Sequence, residues 1–111
     1  MKEGDIVLTP VPQANGQIKN RPALFLREMP PFNDALVCGI STQLQQQVAG
    51  FDEIITQQDI DFSTSGLVTA SLIRLGFLAL IPRNQIIGSI GSVASVRHNR
   101  LLTNLSDYLL K

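Results

Sequence analysis

The chain has 111 residues, 44% of them apolar and 16% charged, with nine Lys and Arg against nine Asp and Glu. That composition excludes a disordered chain, and the zero net charge argues against a protein that coats nucleic acid by charge alone. One core is what this length can bury, and no Pro/Gly/Ser-rich linker interrupts it, so a single domain spanning 1–111 is expected.

In chain order, Met1-Lys2-Glu3-Gly4-Asp5 carries acids where a secretory leader would be basic, and the longest apolar stretches are broken by Arg74 and Pro82. A cytoplasmic protein without a membrane span is the expectation. Ile6 to Thr9 reads as a first strand stopped by Pro10 and Pro12, and the polar segment from Val11 to Asn20, with Asn15-Gly16, reads as an exposed loop. Arg21-Pro22 opens an apolar strand, and Ala35 to Ile40 forms a third after the Pro30-Pro31-Phe32-Asn33-Asp34 turn. Phe51 to Thr56 is a further strand. Thr69 to Ile81 predicts one or two buried strands with a bend or bulge at Gly76. A helical turn is expected over Arg83 to Ile87, and extended or turn structure at Gly88-Ser89-Ile90-Gly91. Ser95 predicts an N-cap for a helix from Val96 to Leu110, striped by Leu101, Leu102, Leu105 and Leu109 for core or subunit contact. The fold class is mainly β: a small bent sheet or barrel with a C-terminal helix.

Charge is unevenly spread. Residues 51–62 hold Asp52, Glu53, Asp59 and Asp61 with no base, whereas 71–111 hold Arg74, Arg83, Arg97, Arg100 and Lys111 against Asp107. A local basic surface and a merely solvated mixed surface are both compatible with that pattern. Cys38 is the only cysteine and lies in an apolar run, which excludes an internal disulfide and cysteine-pair zinc sites and assigns it to the core. His98, the only histidine, is expected on a solvated helix face. No metal site and no cofactor is expected, because P-loop, HExxH, GxSxG and dinucleotide fingerprints are missing.

What remains is Arg21 after a polar loop, Ser41 after an apolar strand, and Arg74 inside a third apolar segment. Guanidinium forks match phosphate, and a hydroxyl can donate to a phosphoryl oxygen; RNA brings its own nucleophile in the 2′-hydroxyl. Alone, each residue has an ordinary structural reading: a surface ion pair for Arg21, a strand-end hydrogen bond for Ser41, and an ion pair with a 51–62 acid for Arg74.

Gly4-Asp5-Ile6-Val7, the loop with Gly16, Arg21-Pro22-Ala23-Leu24 and Ile40-Ser41-Thr42-Gln43 together resemble the PemK/MazF toxins, with Ser65 to Arg74 and Ile86 to Gly91 resembling the family's second half more loosely. The resemblance implies an SH3-like barrel with a C-terminal helix, a homodimer, and a metal-independent, ribosome-independent endoribonuclease that cuts single-stranded mRNA and is restrained by a cognate antitoxin. It assigns Arg21 and Ser41 to the catalytic positions, with Thr42 as a second hydroxyl. Arg74 corresponds to an arginine of the Kid branch, and Lys19 and Arg83 join it as expected RNA-binding groups. Gly76 stands where that branch has an aspartate thought to help deprotonate the 2′-hydroxyl, so the general base is unassigned. The alternatives are a non-cleaving barrel that binds a protein target, as CcdB toxins bind gyrase, and a degenerate antitoxin-binding module.

Overall fold

A computed structural model describes every residue except Gln13 and the side chain of Pro12. Six strands form one antiparallel sheet: β1 (Asp5–Pro12), β2 (Ile18–Met29), β3 (Asp34–Ser41), β4 (Glu53–Ile55), β5 (Ser71–Ile81) and β6 (Gly88–Ser92), in the order β4-β5-β3-β2-β1-β6. The sheet curls into a half-barrel. A four-residue helix, α1 (Phe62–Ser65), meets β6, and the long helix α2 (Ser95–Leu109) follows β6. No helix among the described residues is long and apolar enough to cross a membrane.

β1 runs past the prolines expected to end it. Pro10 pairs with Asn20 and Pro12 with Ile18, so the expected 11–20 loop shrinks to residues 13–17, of which Gln13 lies outside the described residues. The reason is directional. The Leu8 carbonyl accepts the Ile87 N–H at 3.0 Å on the β6 side, and residues 10 and 12 aim their backbone groups the same way, where β6 no longer runs alongside. A missing N–H costs nothing on that open edge.

The two faces of the sheet bury different cores. Ile6, Leu24, Cys38, Ile40, Ile73 and Leu75 pack under Leu101 and Leu105 of α2; Val7, Ala23, Phe25, Ala35 and Val37 pack with Ile86, Ala79 and Ile81 on the other side. The leucine stripe therefore serves the core through Leu101, Leu102 and Leu105, while Leu109 points into solvent. Gly66 closes α1 in the left-handed conformation, and Gly91 lies so close to the α1 backbone that a Cβ there has no room. Gly66 and Gly91 are thus the packing device where α1 crosses β6, whereas Gly88 has open space around it.

Two bulges break the strand pairing. In β2, Phe25 pairs with Val37 and Arg27 with Leu36, leaving Leu26 extra; its carbonyl accepts a 2.8 Å hydrogen bond from His98 Nε2. His98 is therefore half-buried and fastens α2 to the sheet, contrary to the expected solvated position. In β5, Arg74 pairs with Gly39 and Leu78 with Cys38, so residues 75–77 are extra. The orphaned Leu75 N–H donates to Asp52 Oδ1 at 2.9 Å, and Asp52 Oδ2 accepts from the Val48 N–H at 2.9 Å.

The acidic segment finds its counter-charge inside the molecule. Arg97 Nε and Nη2 reach Asp61 Oδ2 and Oδ1 at 2.8 and 3.1 Å, and Arg97 Nη1 reaches Glu53 at 2.8 Å. Asp59 stands 3.5 Å from Arg97, and Arg100 Nε lies 2.9 Å from Glu53 Oε2. Two of the basic residues that suggested a local basic surface are thereby neutralised. Asp61 Oδ2 also accepts the Ala94 N–H at 3.0 Å, so a distant carboxylate supports the start of α2; Ala94, and not the expected Ser95, occupies the N-cap.

Arg97→Met should cost on the order of 3 kcal/mol, because it strands the buried Asp61 carboxylate, whereas Arg100→Ala at the exposed end should cost under ~1 kcal/mol. Urea unfolding of the two variants measures the difference. Burial of Asp61 opposes its charge, but the Arg97 hydrogen bonds, the Ala94 N–H and the Arg97 charge outweigh burial and hold the carboxyl below the usual carboxylate range. A folded-state pKa below the unfolded value of about 3.9 gives stability that is complete above that value and is lost as pH falls through the folded pKa. Wild type should lose stability over that acid range more steeply than Asp61→Asn. Burial, and then the Asp52 charge, push the Cys38 thiol up to about 12. Iodoacetamide at pH 8 should therefore leave Cys38 unmodified in the native protein and alkylate it in guanidinium.

Candidate functional site

Strand register brings the three separated sequence features together. Thr9 pairs with Arg21 across β1 and β2, Ala23 pairs with Gly39 across β2 and β3, and Gly39 pairs with Arg74 across β3 and β5. Continuing the β2–β3 register two residues sets Arg21 opposite Ser41, with Arg74 one diagonal step away. All three share the sheet face turned away from α2, because side chains two residues apart on a strand lie on the same side.

That face is hollowed. A cavity of ≈ 350 Å³ has Thr9, Arg21, Ser41 and Arg74 among its lining residues and an apolar interior that includes Ala23, Val37, Phe77, Ala79 and Ile81. A second hollow of ≈ 380 Å³ shares Arg21 and Ser41 and adds Thr42, Gln43 and Ser71. The two meet along the Arg21–Ser41 line. Thr42, the second candidate hydroxyl, thus opens only onto the second hollow.

Local bonding sets what each group can do. Ser41 Oγ accepts the Gln43 N–H at 3.0 Å, which leaves the hydroxyl proton to be donated and makes the oxygen a poor proton acceptor. Thr9 Oγ1 donates to the Arg21 carbonyl at 3.3 Å and so ties the Arg21 backbone to β1. Arg74 has no carboxylate partner among the described residues, and its guanidinium carbon lies 5.7 Å from the centre of the Phe77 ring. The alternative reading of Arg74 as ion-paired with a 51–62 acid is not what the fold forms, since Arg97 and Arg100 hold Glu53, Asp59 and Asp61 on the opposite face and Asp52 is bound to the Val48 and Leu75 N–H groups.

Two other candidate residues stand apart. Lys19 pairs with Val11 on the hairpin arm, two residues from Arg21 on the same strand, but lines neither hollow. Arg83 sits at the far end of the face, stacked 5.5 Å from the Phe25 ring, donating to the Met1 carbonyl at 2.9 Å and 4.0 Å from Glu28. Its charge is already engaged away from Arg21 and Ser41.

Sequence reasoning missed Thr9, Phe77 and Ser71. Gly76 was the available signal for Phe77: it marks the bulge, and the bulge decides the face on which Phe77 stands. Among the described residues, no His, Asp or Glu lines either hollow, and no group of three or more His, Cys, Asp or Glu could hold a metal ion.

The arrangement offers two permanent cations and a hydroxyl donor at the mouth of an apolar cavity, which suits an anion attached to a flat or apolar group. No protein-family model matches the chain, and a search of curated proteins found no match.

Proposed function

We propose that the protein is a metal-independent endoribonuclease toxin of the PemK/MazF type, built on an SH3-like barrel and held inactive in the cytoplasm by a cognate antitoxin. The observation that carries this reading is the meeting of Arg21, Ser41 and Arg74, far apart in sequence, around one concavity. Their chemistry fits a phosphodiester whose negative charge grows in the transition state.

In this mechanism the substrate 2′-hydroxyl attacks the adjacent phosphorus, and the 5′-oxygen of the next nucleotide leaves. The products are a 2′,3′-cyclic phosphate and a 5′-hydroxyl. Arg21 stabilises the phosphorane charge, and Ser41 donates its hydroxyl proton in a hydrogen bond to a non-bridging oxygen, the orientation that the Gln43 N–H favours. Arg74, beside Phe77, holds the substrate phosphate. The described lining contributes no His, Asp or Glu, so the 2′-hydroxyl loses its proton to solvent and the leaving 5′-oxygen takes one from solvent. The antitoxin is a disordered acidic segment that orders over the 11–20 arm and competes with RNA. A homodimer is part of the reading, because Leu78 and Leu80 of β5 stand exposed beside half-buried Leu36 on the outer half of the sheet.

The missing base also favours a second reading, a module that binds RNA or an antitoxin without cutting. One assay separates the two. Purified protein should cut a long single-stranded RNA in EDTA, spare DNA, and leave cyclic-phosphate ends; an intact RNA would leave only the binding module. Arg21→Ala should lower the single-turnover rate by ~100- to 1,000-fold. Ser41→Ala should also slow it strongly and Ser41→Thr should retain it, whereas Arg74→Ala should raise the RNA concentration needed more than it lowers the maximal rate. Wild-type cleavage by both Arg21→Ala and Ser41→Ala would end the assignment.

Because no titratable base lines the hollows, the logarithm of the cleavage rate should climb steadily between about pH 5 and pH 8 without a break in the carboxylate or histidine range. A plateau in that interval would reveal a base contributed from elsewhere. Light scattering should give twice the 12.1 kDa chain mass at micromolar protein.

A further inference from the structure

Three extra residues in β5 do more than bend the strand. Arg74 and the even-numbered positions before the bulge face the cavity side; an odd insertion exchanges the faces, so beyond it Phe77, Ala79 and Ile81 turn toward the cavity while Leu78 turns away. Without the bulge the cavity would be lined there by Gly76, Leu78 and Leu80. The aromatic ring at this place is thus a consequence of the insertion at Gly76.

Phe77 remains 56% exposed although it borders a cavity, and its ring lies on the backbone of Gly39, where a Cβ would come within 2.9 Å of Phe77 Cδ1. An aromatic ring that needs a glycine beneath it, remains more than half exposed and has a guanidinium 5.7 Å from its centre is a stacking platform. Arg21, Ser41 and Arg74 flank it, and the apolar residues Ala23, Val37, Ala79 and Ile81 form the cavity interior. At ≈ 350 Å³ the cavity lies at the lower end of the ~300–1,000 Å³ range of ligand pockets, which suits one ring system and not a folded peptide.

We infer that this cavity takes a single nucleobase, that of a nucleotide flanking the phosphate held by Arg21, Ser41 and Arg74, stacked on Phe77. The inference rests on the proposed phosphodiester site and adds the residue that positions the substrate. Phe77 acts through the base and touches no reacting atom. Apolar walls read a base by its shape and its π face, so the presence of a base matters more than its identity at this one position.

The test pairs a binding signal with a kinetic one. In an uncleavable 2′-O-methyl RNA carrying 2-aminopurine at one position at a time, wild type should quench the fluorophore at one position flanking the phosphate; the chain contains no tryptophan to interfere. Phe77→Ala should abolish that quenching and Phe77→Tyr should keep it. Gly39→Ala, which displaces the ring without removing it, should weaken it. In cleavable RNA, an abasic residue at the same position should slow wild type by about 5- to 150-fold and Phe77→Ala by far less, because the stacking partner is already gone. Exchanging one base for another there should cost less than removing it. Equal abasic penalties in wild type and Phe77→Ala, or quenching that survives Phe77→Ala, would overturn the base pocket. Failure of the underlying phosphodiester site looks different: Arg21→Ala would then bind and cut as wild type whatever Phe77 does.

Discussion

The site depends on a mismatch in length between two neighbouring strands. β5 spends three residues, 75–77, where β3 spends none between Gly39 and Cys38, and both ends of β5 remain paired. An even insertion would have kept the alternation of faces; an odd one reverses it. The first part of β5 therefore puts Ile73 and Leu75 into the core beneath α2 and Arg74 on the open face, while the second part turns Phe77, Ala79 and Ile81 to that open face. The irregularity costs a backbone partner, and Asp52 supplies it by accepting the Leu75 N–H in the buried interior. The same carboxylate also holds the Val48 N–H, so the loop entering β4 is tied to the bulge.

Acids in this protein are used largely as internal acceptors. Asp61 binds both the Ala94 N–H and the Arg97 guanidinium, Glu53 bridges Arg97 and Arg100, and Glu3 accepts from the Glu28 N–H and Arg27. One consequence is mechanical, because α2 is fastened near its start by the Arg97 ion pair and by the next residue, His98, on the Leu26 carbonyl. Another is electrostatic. With Asp61, Glu53 and Asp59 engaged by Arg97 on the α2 side, no carboxylate of the described residues lines the cavity, and a chain of zero net charge places Arg21 and Arg74 together in its lining. Local arrangement, not net charge, decides what such a surface attracts.

Gly76 is the position at which the resemblance to the Kid branch would place an acid, and the structure shows what the backbone allows there. Gly76 lies in the bulge, is exposed, and has open space where a side chain would stand. An acid could fit at this place without steric conflict, so the absence of a base is a feature of this chain's sequence and not of its backbone. The proposed mechanism therefore rests on charge stabilisation and hydroxyl donation, the two contributions that require no proton acceptor.

Local pattern determined the mainly β character, the bend at Gly76, the turn at Pro30–Asn33, the terminal helix and the burial of Cys38, because alternation, turn residues and a leucine stripe depend on neighbours a few residues away. It also singled out Arg21, Ser41 and Arg74, since charged or hydroxyl groups at the margins of apolar strands are conspicuous. Other features needed the folded chain. Pro10 and Pro12 could join β1 only because β6 ends before reaching them, and Arg97 and Arg100 left the basic surface only because acids 36 and 47 residues away face them. His98 found its partner through a bulge in β2, and Ser95 lost the cap to its neighbour Ala94, backed by Asp61. Strand register, which no local signal carries across separations this long, brought Arg21, Ser41 and Arg74 to one face and set Arg83 apart from them.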